Sequence, residues 1–298
     1  MAKSNGLSRE ALKEVRRVQL RTKRAVDTLL AGAYRSAFKG QGMEFAEVRA
    51  YEPGDDVRSI DWNVTARSGM PYIKRFQEER ELTVMLVVDV SASSFFGSHR
   101  RSKDALMAEI GALLSFSAND NNDRIGLILF SSEIELYLPP KRGVRHALRI
   151  IRELLAYQPR HRGTNIRNAL AFLGRVQRRS CICFLISDFL SLGFQHTLRV
   201  AAKRFDMIAV RVRDPNEIKL PSLRLLKLRD LETDRELLVD TSDPTTQKYF
   251  SDRIETRTVK QERIMKRLGV GFIDIRSDED YAHTIQKFFH SRRRQRAR

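Results

Sequence analysis

From Leu82 to Val88 only Thr83 interrupts an apolar run, and the run stops abruptly in Asp89-Val90-Ser91-Ala92-Ser93. So short a stretch with no polar face fits a strand buried on both sides, the environment of a parallel sheet covered by helices. In open α/β sheets the carboxyl ends of the strands face the ligand crevice, so Asp89, Ser91 and Ser93 are expected there together. One carboxylate and two hydroxyls form an all-oxygen donor set, which suits a hard cation such as Mg²⁺.

The chain beyond this strand alternates element types. A helix is predicted from about Lys103 to Asn119, strands at 125–130 and 133–139, and helices from about Val144 to Ala156 and Asn165 to Arg178. CICFLIS then leads to Asp188, followed by a helix from about Phe194 to Arg204 and a strand at 206–212. Strands separated by helices of this length argue for a doubly wound, mostly parallel α/β sheet, with the 133–139 strand hairpinned onto its predecessor. LRLLKLRDLETDRELLVDT reads as a β-hairpin and is followed by a helix from about Thr245 to Leu268; a last strand and a helix at 279–290 resume the pattern.

Ahead of this body, apolar residues at helical spacing from Leu7 to Ala37 describe an amphipathic arm. Residues 43–81 change to short alternating segments around Pro53-Gly54 and Ser68-Gly69, which reads as a small β extension with Trp62 as its apolar anchor. The division that follows is an arm at 1–39, an extension at 40–81, a body at 82–290 with an insertion at 216–268, and a basic tail at 291–298. Glu52, Asp55, Asp56 and Asp61 crowd one turn, where pairing with Arg58, Arg67 or Lys74 is favoured over a second metal site.

At 298 residues the chain can bury a sizeable core, and no segment approaches the roughly 18 apolar residues of a membrane span. With no secretory segment at its start, it is expected in the cytoplasm. Cys181 and Cys183, two apart on a strand, suit buried thiols better than a disulfide, in keeping with a reducing compartment. The net charge of +18 raises nucleic-acid binding as an alternative. Its excess is spread, however: 16 basic against 12 acidic residues in 1–81, 20 against 11 in 82–214, and 19 against 14 in 215–298. Only SRRRQRAR is densely basic, and no aromatic-basic interleaving accompanies it.

Three loops are expected to share the crevice. They contribute Asp89, Ser91 and Ser93, then Thr164, then Asp188. Ser91, Ser93 and Thr164 could coordinate directly while the carboxylates hold waters, leaving one position free. In this order the five residues resemble the metal-ion-dependent adhesion site of the von Willebrand factor A domain. That resemblance implies Mg²⁺, with Mn²⁺ or Ca²⁺ as alternatives, and a protein partner whose acidic side chain completes the shell. A narrower resemblance rests on GQGMEFAEVRAYEPGDDVRSIDWNVTARSGMPYIKRFQEERE directly before the strand ending DVSAS, and continues through NNDRIGLILFSS and PPKRG to Asp188. These motifs resemble the bacterial family of unknown function numbered fifty-eight in its series, associated with MoxR AAA+ ATPases. It implies a protein-interaction module working with such an ATPase, or its client, in chaperone-like maturation of other proteins.

A capping role for Asp89, Ser91 and Ser93 is disfavoured because the next helix starts only near Lys103. A Mg²⁺-dependent phosphotransferase in the haloacid dehalogenase manner wants a second Asp where this chain has Ser91. The six histidines show no ligand spacing, and no zinc, phosphate-loop or nucleophile-elbow pattern is present. The expectation is therefore a binding protein rather than an enzyme.

Overall fold

The computed structural model describes residues 17, 18, 22, 31–38, 43–78, 82–98 and 101–296. In chain order it begins with α1 (Ala31–Phe38), β1 (Met43–Ala50), α2 (Trp62–Ser68), β2 (Tyr72–Glu78) and β3 (Thr83–Asp89). Next come α3 (Lys103–Asp120), β4 (Arg124–Phe130), β5 (Ile134–Lys141), α4 (Val144–Ala156), α5 (Ile166–Val176) and β6 (Ile182–Ser187). The remainder is α6 (Gln195–Ala202), β7 (Asp206–Arg213), α7 (Pro215–Ile218), β8 (Leu225–Arg229), β9 (Glu236–Asp240), α8 (Pro244–Arg267), β10 (Gly271–Arg276) and α9 (Tyr281–Arg296).

Six strands form the main sheet in the order β10-β7-β6-β3-β4-β5. All pairs are parallel except β4 with β5, the expected antiparallel hairpin. Alternation along β3 supplies both faces of the core. Val84, Leu86 and Val88 pack among residues of α1, α3, α4 and α9, while Met85 and Val87 pack among residues of α5, α6 and Met265 of α8. The result is a doubly wound three-layer α/β architecture of the von Willebrand factor A-like kind. Helix α3 is buried along nearly its whole length. It lies so close to α4 that a Cβ at Gly111 would come within 2.6 Å of Leu154 Cδ1.

The chain runs from β3 to β4 on one side, then crosses back to place β6 on the other side of β3. The connections leaving β3 and β6 therefore part company at their carboxyl ends and open a crevice between them. That topological switch point places the site.

Most of the predicted N-terminal arm lies outside the described residues. Its described end, α1, inserts Tyr34 and Phe38 into the core, where their rings meet Phe289 at 5.8 and 5.4 Å. The 43–81 segment forms an antiparallel β1–β2 pair, yet it is not made of strands alone. Asp61 accepts hydrogen bonds from Asn63 N (3.0 Å) and Val64 N (3.4 Å), caps α2, and turns a predicted strand into a helix. Trp62, the first residue of that helix, is 69% exposed and so is not the buried apolar anchor expected. The acidic cluster serves local turns: Asp55 pairs with Arg49 at 2.7 Å, and Asp56 accepts from Arg58 N. Arg49 was not among the basic residues expected to pair with this cluster.

The β8–β9 hairpin and α8 stand between the neighbouring strands β7 and β10. Arg211 of β7, fully buried, binds Asp274 of β10 through two nitrogens at 2.8 Å and Gln261 of α8 at 2.7 Å, which ties the insertion to the sheet. Helix α9 continues through the basic run to Arg296. Arg292 pairs with Asp206 and lies over the Phe38 ring. Cys181 and Cys183 are free and buried. Among the described residues, no helix is long and apolar enough to cross a membrane.

Candidate functional site

Strands β3 and β6 are parallel neighbours, and Val88 pairs with Ile186, so Asp89 and Asp188 emerge at the same edge. Asp89 is buried; its Oδ1 accepts from Ser91 N at 3.0 Å and its Oδ2 from Ser187 Oγ at 2.6 Å. Burial, and then the charge of Asp188, push its carboxyl up to about 7 against the pull of these hydrogen bonds. Ser91 Oγ and Ser93 Oγ lie 3.1 Å apart and share a hydrogen bond. The turn is closed by Ser94 Oγ, which donates to Ser91 O.

Asp188 holds its own loop through Leu190 N, 2.9 Å from Oδ1. Its Oδ2 receives Lys103 Nζ at 3.0 Å, and the same ammonium reaches Glu217 Oε1 of α7 at 2.6 Å. The Lys103 side chain is entirely enclosed. Burial disfavours its charge, but the two carboxylates outweigh that and raise its pKa, so the ammonium is retained.

Thr164 reaches the edge by another route. Ala92 N donates to Arg162 O at 2.8 Å, which sets the Arg162–Thr164 loop against the serine turn. Thr164 Oγ1 then donates to Glu232 Oε1 at 2.6 Å, and Arg162 pairs with Asp234 at 2.7 Å; both acids sit in the β8–β9 turn. Beneath this loop the nearly enclosed Glu135 accepts from Ser131 Oγ (2.6 Å), His161 N (3.1 Å) and Arg160 N (3.2 Å). These bonds outweigh its burial and hold its carboxyl down at about 2.

The fold thus gathers Asp89, Ser91, Ser93 and Asp188 at one edge and brings the Thr164 loop beside them, while the Thr164 hydroxyl is turned to Glu232. The Mg²⁺ expectation, with its Mn²⁺ and Ca²⁺ alternatives, is corrected. Among the described residues, no group of three or more His, Cys, Asp or Glu side chains is placed to hold a metal ion. The physical reason is visible: the positive charge that Asp188 requires comes from Lys103, and the hydroxyls are bonded to one another or to Glu232. Sequence reasoning missed Lys103, Glu217, Glu232 and Glu135. Only Lys103 carried a signal. A cation at the first position of a helix opposes the helix dipole and calls for a specific counter-charge.

Comparison with known proteins gives a match of residues 47–260 to the family described as "Protein of unknown function DUF58". Uncharacterized protein Rv1480 of Mycobacterium tuberculosis is 30% identical over 285 residues, covering 94% of this chain and 89% of the relative. Uncharacterized protein YeaD of Bacillus subtilis is 23% identical over 169 residues, covering 57% and 40%. Among solved structures, the conserved hypothetical protein BatB from Bacteroides thetaiotaomicron aligns at 16% identity with a TM-score of 0.46, covering 72% of this chain and 99% of that one. The SpRpn10 VWA domain aligns at 9% with a TM-score of 0.39, covering 69% and 94%. At these scores the architecture is read from the strand order itself.

Proposed function

Given that this chain belongs to the DUF58 family, we propose that it is a protein-interaction module whose docking face is the carboxyl edge of the sheet. It works there without a divalent cation and performs no chemistry of its own. The resemblance in the Gly40–Asp188 motifs supplies the partner class: a MoxR-type AAA+ ATPase, or a client it remodels, during chaperone-like maturation in the cytoplasm. The observation that carries the reading is the enclosed Lys103 ammonium fixed between Asp188 and Glu217, which holds the edge assembled from within the chain. A preassembled face suits recognition, because little ordering remains to be done on binding. The net charge of +18 favours a partner with an acidic surface and speeds the encounter at low salt.

The test is co-purification of the full chain with a MoxR-type ATPase from the same cell, with and without EDTA. Phe95, 47% exposed on the turn just after Ser93, is the variant site. Association should survive EDTA and fall at least about tenfold, or about 1.4 kcal/mol, in Phe95→Asp. Turnover of a phosphate ester by the wild type, lost in Asp89→Ala, would reverse the non-enzymatic reading; binding indifferent to Phe95→Asp would remove the edge from it.

A further inference from the structure

A groove of about 530 Å³ runs between α8 and the loop that leaves Asp188. One wall is a single face of α8. Tyr249, Arg253, Thr256, Lys260 and Ile264 recur there at helical spacing over about 22 Å. The other wall is the 189–195 loop, fastened at both ends by the buried rings of Phe189 and Phe194, 5.8 Å apart. Phe189 sits at φ 56°, a left-handed conformation costly for so bulky a residue, and the turn it makes leaves Leu190 and Leu192 exposed on the groove side. Helix α8 holds this wall in place: Gln261 Nε2 donates to Phe189 O at 2.7 Å, and Arg257 donates to Leu190 O.

Three properties of the groove point to an occupant. Leu192 is 85% exposed and Tyr249 66%, although both line a concavity with an otherwise apolar floor. Ser191 Oγ, also in the lining, is buried and has no hydrogen-bond partner among the described residues. A hydroxyl left so is costly, and a partner group entering the groove would satisfy it. Finally, Arg253 and Lys260 share the lining with a single acid, Asp252, while Arg257 is engaged by Leu190 O, so the lining is cationic over apolar.

We propose that this groove receives an acidic amphipathic helix of a partner protein, roughly four turns long. Its apolar stripe lies on Leu190, Leu192 and Ile264, and its carboxylates meet Arg253 and Lys260. The proposal rests on the interaction reading above and names the chemistry of the partner at a second face beside the edge. A helix matches the length of the α8 wall, the geometry of helix-in-groove recognition. A second copy of this chain is disfavoured, since a protein of +18 would bring like charges together over a cationic lining.

The probe is a labelled 16-residue helical peptide with Leu at i, i+3, i+7, i+11 and i+14 and Glu on the flanks, read by fluorescence anisotropy against the full chain. The acidic peptide should bind at least about tenfold more tightly than its Lys-for-Glu counterpart, and Leu192→Asp and Arg253→Glu should each weaken it by about tenfold. In Arg253→Glu/Lys260→Glu the preference should invert toward the lysine peptide, which a merely unfolded variant could not do. Equal binding of both peptides, indifference to the variants, or competition by a single-stranded oligonucleotide at physiological salt would overturn the proposal. The same variants in the ATPase co-purification separate the two readings. Association kept in Leu192→Asp but lost in Phe95→Asp sinks the groove alone, whereas association indifferent to every variant sinks both.

Discussion

Lys103 does at this site what a bound ion was expected to do, and it does so from inside the chain. Removing one member of a buried ion pair leaves the other charge uncompensated, at about 3–5 kcal/mol. Lys103→Met leaves two carboxylates, Asp188 and Glu217, without their cation. Its urea-unfolding free energy should fall by that much, while the wild-type melting temperature should stay the same with added Mg²⁺ or EDTA. A melt that rises with Mg²⁺ would contradict the lysine's role. The ligand-type residues themselves were readable, since an acid and two serines where an apolar strand ends are polar groups delivered straight to the crevice. What filled their positions was not, because a lysine fourteen residues on, and acids in loops far along the chain, carry no spacing signal that links them to Asp188.

At the level of elements, α1 is fastened where β4 begins. Tyr34 OH donates to Asp123 Oδ2 at 3.1 Å, and Leu82 N donates to Oδ1 at 2.9 Å. Burial nevertheless pushes Asp123 up to about 6, so the folded protein holds this proton more tightly than the unfolded chain does. The stability this adds is present below about pH 4 and lost as pH rises to about 6. Asp123→Asn keeps the uncharged form, so its stability relative to wild type should improve from about pH 4 to about pH 6 and level off above, in urea midpoints across that range. A flat or opposite trend would show that α1 and Asp123 are not so coupled. Most elements of the body were legible from periodicity to within a few residues. The extension was not: Asp61 caps a helix in a segment whose alternation reads as strand, and the anchoring expected of Trp62 fails because that helix turns its ring to solvent.

For the molecule as a whole, the doubly wound order could be argued from sequence because buried strands and intervening helices leave few topologies open. The role of the last residues could not, since charge density alone does not separate a solvated tail from a helix pinned by one of its arginines. Arg292 joins α9 to Asp206 and covers Phe38, so the C-terminal run closes the core that α1 enters. Deleting residues 291–298 should therefore lower stability by roughly 1.5–3 kcal/mol, the range for hydrogen bonds to charged groups, and Arg292→Ala should reproduce most of the loss. If the truncated chain melts like the wild type, the tail is mere solvated surface. The enclosed lysine has one more implication. A counter-charge carried on the polypeptide can be neither chelated nor diluted, so the edge answers to chain closure and not to ion supply. Until Lys103 at the start of α3 reaches Asp188 and Glu217, two carboxylates there lack their shared cation; in the folded molecule it is built in. Completion of the site is thus a record that folding has finished.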